Sequence, residues 1–353
     1  MRIAIQQYGE FQHSVIPLPE YVRYCQDRGL DYVIVDAFDK DIITNLKGCD
    51  IFIWYPGIHS VSNQLLTVSL LKAVESMGVL VYPNSSTGWH FDNKIAESFY
   101  LDANHAPIPK YWAFFEREKA LNWVRREALF PLVAKLKSGA GGNNVRLLRT
   151  RREAVSYVKR MFGRGFSPAL SVFLKASSHF SATRSNWTEM KKRIARTPEF
   201  LRRYFKSREF PNERGYVYFQ EFVPNDGYDI RIVVVNEKMS FCTRPIRKND
   251  FRASGSGITE HRRELVSEHV LVTARDMAKK LKLQKIAFDF VVDNRTGVGK
   301  ITEMCCEFPH SGGIIGAGGY WDFDLNWHEG ILEPSKELIN MLIRRETCST
   351  FIK

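Results

Sequence analysis

The sequence predicts an α/β protein in which a doubly wound parallel sheet precedes two α+β lobes, on three observations. Apolar strand-like runs alternate with helix-patterned stretches through about the first ninety residues. A strand, glycine-rich loop, strand unit spans Pro131 to Leu148, and closely spaced strands dominate from Tyr216 onward.

The early strands are Ile3 to Ile5, Tyr32 to Val35, Ile51 to Trp54 and Val79 to Tyr82. Pro83 and Asn84 close the last of them, and a helix is expected from about His90 to Asn104, ending before Ala106-Pro107-Ile108-Pro109. PLVAKLKS then reads as a strand entering the loop Gly139 to Gly142, and Val145 to Leu148 as the strand that leaves it. Residues from about 150 to 214 form a basic, aromatic-containing stretch, read either as helices with solvated faces or as a platform for an acidic substrate. YVYFQEFV and DIRIVVVNEKMSFCTRPI follow, with a turn at Asn236-Glu237, then a helix around Val270 to Lys282 and the strands Ile286 to Asp293 and Lys300 to Phe308. The expected division is 1–88, 89–215 and 216–353.

Composition narrows the class. At 353 residues with 44% apolar content, the chain can bury a large core and is not disordered. No apolar run approaches the roughly 20 residues that span a bilayer, and the opening MRIAIQQYGE carries no export signal, so a cytoplasmic setting is expected. The six cysteines lack metal spacing, which fits reduced thiols. A net charge of +12 favours anionic partners, yet no helix-turn-helix, zinc-finger or aromatic RNA-binding signature is present, which disfavours nucleic acid against small or glycan-like anions.

Three constellations carry chemistry. Lys94 lies on the helical stretch after Asn84, and Lys135 sits between apolar neighbours just ahead of the glycine loop, where burial calls for an anionic partner such as phosphate. Gly139, Gly141 and Gly142 would let backbone amides approach phosphates, although a plain flexible hairpin reads the same way. Asp289 and Glu303 fall on adjacent strands, where periodicity can set both on one face; two close carboxylates repel unless a cation lies between them, and magnesium is the ion expected beside phosphates. Glu307 shares the parity of Glu303. Finally, TRPIRKNDFRASGSG brings Arg244, Arg247 and Arg252 together, suited to a transferring phosphoryl group or an acyl phosphate, or else to a plain surface loop.

In this order the pieces resemble the ATP-grasp superfamily, in particular the ribosomal-protein glutamate ligases and the D-alanine:D-alanine ligases. The resemblance covers about three quarters of the chain, excluding most of 150–214. It implies an ATP-grasp fold whose two lobes clasp ATP, with Lys94 and Lys135 on the phosphates, Glu221, Phe222 and Val223 at the base and Asp229 at the ribose. DFRAS matches the family's arginine motif, with Arg252 in the reactive position and Ser254 where asparagine is common. The metal motif implies Asp289, Glu303 and Cys305 as ligands to magnesium, with manganese as the alternative ion; cysteine departs from the usual asparagine, so Glu307 or a water would take its place, or a single tight metal would bind.

The activity implied is an ATP-dependent ligase. A substrate carboxylate is phosphorylated, and an amine then displaces phosphate from the acyl phosphate to form an amide. The partners implied are ATP, a carboxylate and an amine, among them an amino acid and an acidic or glycan-like acceptor, with no membrane; a homodimer is common among similar ligases. Two other outcomes share the motifs: a kinase acting on a small-molecule or glycan hydroxyl, and a nucleotide-binding protein whose metal site has decayed. His310 after the metal strand reads as a border of the amine or acyl site or as a structural turn.

Overall fold

The computed structural model describes residues 1–7, 18–56, 61–139, 142, 144–167, 211–246, 250–252, 258–308, 310 and 315–350. They form two compact units, one comprising 1–92, 96–109 and 223–353, the other 93–95 and 110–222.

The first unit opens with β1 (Arg2–Gln6), α1 (Leu18–Asp27), β2 (Asp31–Val35), α2 (Ile42–Asn45), β3 (Ile51–Ile53), α3 (Val61–Ser76) and β4 (Leu80–Tyr82). The strands pair in parallel in the order β2-β1-β3-β4. Ile3, Ala4 and Ile5 are all buried, as are Ile51, Phe52 and Ile53, because helices cover both faces of a parallel sheet. Each predicted strand of this region is present. Asn84 then caps the short α4 (Ser85–Gly88) by accepting the Thr87 N–H at 2.9 Å, and α5 (Lys94–Ala103) follows.

The same unit contains a second, antiparallel sheet. Its strands are β9 (Tyr228–Val235), β10 (Lys238–Pro245), β11 (Lys285–Val292), β12 (Gly299–Cys305), β13 (Gly319–Asp322) and β14 (Trp327–Glu329), in the order β12-β11-β9-β10-β13-β14. Asn236 and Glu237, with φ of +48° and +62°, close the β9–β10 hairpin where the sequence predicts its turn. Alternation divides the sheet's faces. Ile230, Ile232, Val234, Phe288, Phe290 and Ile301 pack beneath α8 (Glu268–Lys280). On the opposite face, Val233, Val235 and Ala287 join Ile3, Ile5 and Ile53 of the first sheet, together with Leu338 and Leu342 of α9 (Pro334–Thr350), in one core. Further along that second face the side chains turn polar, and this sets up the site.

The second unit has β5 (Tyr111–Phe114), α6 (Arg117–Arg126), β6 (Leu132–Lys135), β7 (Val145–Leu148), α7 (Arg151–Met161) and β8 (Val217–Glu221), with strand order β5-β8-β6-β7. β8 pairs antiparallel between β5 and β6, so this strand belongs to the middle sheet although it follows the boundary expected at 215/216. Leu132, Ala134, Leu148, Val217 and Phe219 pack against Trp123 and Val124 of α6 and Val158 and Met161 of α7. No helix among the described residues is long and apolar enough to cross a membrane, and Cys25, Cys49, Cys242, Cys305 and Cys306 are all free of disulfides.

Candidate active site

In the second unit, strand alternation sends Lys135 to the face of the sheet opposite the helices, since Ala134 beside it packs in the helix-covered core. Lys135 is 7% exposed. The strand leads directly into the glycine loop, whose entry is tied down from two sides. Lys94, 4% exposed, donates from Nζ to the Gly139 carbonyl at 2.6 Å, and its backbone N–H donates to the Lys137 carbonyl at 2.9 Å. Glu213 accepts the Lys137 N–H at 2.9 Å and the Ser138 N–H at 3.2 Å, and also the hydroxyls of Ser138 and Tyr216. Gly139 has φ +111°, and a Cβ there would collide with the amide of Asn144, which itself donates to the Ser138 carbonyl at 2.9 Å. Gly142, at φ +68°, also uses the freedom of glycine. The two predicted lysines and the loop are thus brought to one place. Gly141 lies outside the described residues.

At the end of β8, Glu221 exchanges bonds with Lys110: its N–H donates to the Lys110 carbonyl at 2.8 Å, and its carboxylate accepts the Lys110 N–H at 3.1 Å. Phe222 ends this unit, and Val223, buried, begins the next segment of the other, where its carbonyl accepts Asn225 Nδ2 at 2.9 Å.

In the first unit, the polar part of the second sheet is a face of paired charges. Register sets Asp289 opposite Glu303 on one side and opposite Arg231 on the other, and Arg244 opposite Asp229. Arg231 grips Asp289 with two bonds of 2.7 and 2.9 Å, and Arg244 grips Asp229 with two of 2.7 and 2.8 Å while also reaching Asp289 at 2.8 Å. Burial alone would raise the Asp289 carboxyl, but Arg231 and Arg244 hold it well below the usual carboxylate range. For Asp229, burial and the neighbouring Asp289 outweigh Arg244 and push it up to about 6. Arg252 binds its own neighbour Asp250 through Nε at 3.0 Å and Nη2 at 2.7 Å. Ser254 and Arg247 lie outside the described residues.

Beyond β12 the predicted ligands turn inward. The Cys305 thiol donates to the Glu307 carbonyl at 2.8 Å, and burial pushes its pKa up, so it stays protonated. Glu307 is buried 3.3 Å from Lys285 Nζ, a fully buried ammonium that also donates to His310 Nε2 at 3.1 Å. His310 Nδ1–H then donates to Glu20 at 3.0 Å, and Ser335 donates to the same carboxylate at 2.6 Å. Burial pushes the Glu307 carboxyl up to about 7, whereas burial and Lys285 push His310 down to about 4. His310 therefore sits in a structural network that ties α1 to the end of β12.

A magnesium ion needs several free oxygens. Asp289 and Glu303 do face one another, but both oxygens of Asp289 are taken by guanidiniums, Cys305 keeps its proton and Glu307 turns to Lys285. No group of three metal-binding side chains occurs among the described residues. As arranged here, the set does not fit magnesium.

Arg231, Glu213 and Lys285 are the residues that sequence reasoning missed. A charged side chain alternating with Ile230 and Ile232 was a signal for Arg231, of the same kind that singles out Asp289. Nothing local marks Glu213, which lies 75 residues from Ser138.

Known structures share this architecture. D-alanine–D-alanine ligase from Bacillus anthracis, complexed with ATP, matches over 99% of this chain and 97% of its own at TM-score 0.56 and 13% identity. D-cycloserine synthetase DcsG matches over 98% and 100%, at TM-score 0.56 and 13% identity. The ATP-grasp ligase PsnB, complexed with precursor peptide PsnA2 and AMPPNP, matches over 98% of both chains at TM-score 0.53 and 12% identity. By sequence, no protein-family model and no curated protein matches. At these identities the likeness establishes the fold alone, the one these solved structures share.

Proposed function

We propose that this chain, which has the ATP-grasp fold, is an ATP-dependent ligase that joins a carboxylate to an amine through an acyl phosphate, releasing ADP and phosphate. The observation that carries the reading is the buried Lys135 leading into a glycine loop whose entry is held by Lys94 and Glu213. Lys135 ends the strand that enters this loop, and the loop beside it offers backbone without bulky side chains. Lys135, Lys94, Gly139, Gly141 and Gly142 would hold the phosphates; Glu221, Phe222, Val223 and Asp229 would hold the nucleoside, and Ser254 would border it.

The arginines supply the rest. Arg252 would carry positive charge to the transferring phosphoryl group and the acyl oxyanion, where charge develops in the transition state. Arg244 sits in a fixed fork whose orientation Asp229 and Asp289 set, so its remaining donor capacity is preorganised. No step is assigned to magnesium, because the carboxylates as arranged do not offer it a site. An amino acid and an acidic or glycan-like acceptor are the substrates we expect. The occupied Asp289 also supports a second reading, a nucleotide-binding protein without turnover.

The test is ADP release with ATP, in the presence and absence of magnesium or manganese, against amino acids and acidic metabolites offered in pairs, with mass spectrometry of each responding mixture. A product joined with loss of water, abolished in Lys135→Met, establishes the ligase. ATP binding that Lys135→Met weakens, with no turnover in any pair, leaves the second reading; ATP binding unaffected by Lys135→Met removes both.

A further inference from the structure

The chain's net charge of +12 is unevenly distributed. Residues 110–222 carry 25 Lys and Arg against nine Asp and Glu, a net of +16, while the rest carries 26 against 30. The stretch 110–222 is therefore strongly basic by sequence, and three of its arginines differ from four of the first unit. Arg231, Arg244, Arg252 and Arg295 each pair with a carboxylate. Arg146, Arg160 and Arg164 do not pair with any among the described residues.

Two of them lie over one ring, and the third acts on Arg160. The Arg160 guanidinium lies 4.1 Å and that of Arg146 4.6 Å from the centroid of Phe166. Tyr157 stacks on the same ring at 5.2 Å with planes 23° apart. Arg160 Nε donates to the Gly165 carbonyl at 3.2 Å, fixing that guanidinium, and Arg164 precedes Gly165 directly. Burial, then Arg164 and Arg146, lower the pKa of Arg160, the mark of cations crowded without a counter-charge. Arg146 and Arg164 are exposed.

The cluster is separate from the residues assigned to ATP. Arg146 is in register with Ala134, whose side chain lies on the helix-covered face, whereas Lys135 points to the other. The sheet divides the two groups. Arg149 before α7, and Arg151, Arg152 and Lys159 on it, are also exposed on the same unit.

We propose that Arg146, Arg160 and Arg164 form a binding site for the phosphate groups of a polyanionic chain, on the face of the second unit's sheet opposite Lys135. Phosphate fits better than carboxylate, because it presents more acceptor oxygens to several guanidiniums at once, and fixed guanidinium forks bind it bidentately. The +16 charge of 110–222 points to a repeating ligand rather than a single ion.

The experiment is fluorescence anisotropy of the full chain with labelled single-stranded RNA across a salt titration, with inorganic polyphosphate and poly-L-glutamate as competitors at equal charge. Arg146→Gln/Arg164→Gln is the test variant, since both side chains are exposed and Arg160 is retained. Binding should weaken about tenfold and the salt slope fall by about two, with the melting temperature and ATP affinity unchanged. RNA binding identifies a nucleic-acid source; polyphosphate binding (direct titration) without RNA binding identifies a free phosphate chain, and either supports the site. Unchanged affinity in the variant, no binding of either phosphate polymer, or equal competition by poly-L-glutamate overturns it.

Discussion

Arg244→Met tests the paired-charge face directly. The substitution keeps most of the side-chain volume but removes two bonds to Asp229 and one to Asp289, while Arg231 continues to hold Asp289. Asp229, with an 8% exposed side chain, is then a buried carboxylate without its partner, and breaking a buried pair from one side costs about 3–5 kcal/mol. The pH dependence gives the mechanism its signature. Asp229 already titrates at about 6, above its ordinary value, and removing the guanidinium raises it further. The folded variant then binds that proton more tightly than the unfolded chain does, so it regains stability as pH falls. Urea unfolding at about pH 8 and about pH 5 should show a large deficit at the first and a smaller one at the second. Asp229→Asn in the same background should recover part of the loss at the higher pH. A deficit under about 1 kcal/mol at pH 8, or one equal at both pH values, would refute the reasoning.

Two further outcomes follow from single residues. Gly139→Ala places a Cβ against Asn144 at φ +111°, at a cost of about 1–3 kcal/mol, and should weaken ATP binding in a nucleotide titration; an unchanged affinity would detach the loop from the nucleotide. His90 is buried between Trp89 and Tyr100 with both ring nitrogens unpartnered, and burial pushes it down to about 4. Its depressed pKa means stability present above about 6.5 and lost as pH falls toward 4, about 2 kcal/mol by pH 5 from linkage. His90→Phe should flatten that part of the stability profile, and an identical acid slope in the variant would show that other groups carry it.

What the sequence made legible is what lies close along the chain. The Asn236-Glu237 turn, the strand pair that sets Asp289 against Glu303 and the glycine loop all follow from local alternation and turn chemistry. β13 and β14 did not emerge: they are three or four residues each, and their Gly, Asp and His content obscures the period. Partner choice over long separations was equally hidden. The Glu213 clamp on the loop and the Glu20–His310 contact, 290 residues apart, are decided by which strands become neighbours, and the pattern of one strand does not encode that.

The Asp289–Glu303 pair marks the limit of arguing from carboxylates alone. Two facing acids require positive charge, and that inference holds, but it does not choose between a metal and a side chain. Antiparallel pairing puts β9 next to β11, and the Asp229-Ile230-Arg231 alternation then delivers a guanidinium to the face where Asp289 projects. β10 supplies a second from the far side through Arg244. A cation held covalently in the sheet is present at no binding cost, so an ion entering here has to displace Arg231 or Arg244 from Asp289 first. Arg231→Met should increase the affinity of the chain for manganese, read by paramagnetic broadening without turnover; an affinity equal to that of the unaltered chain would mean that the guanidinium does not stand in for the ion.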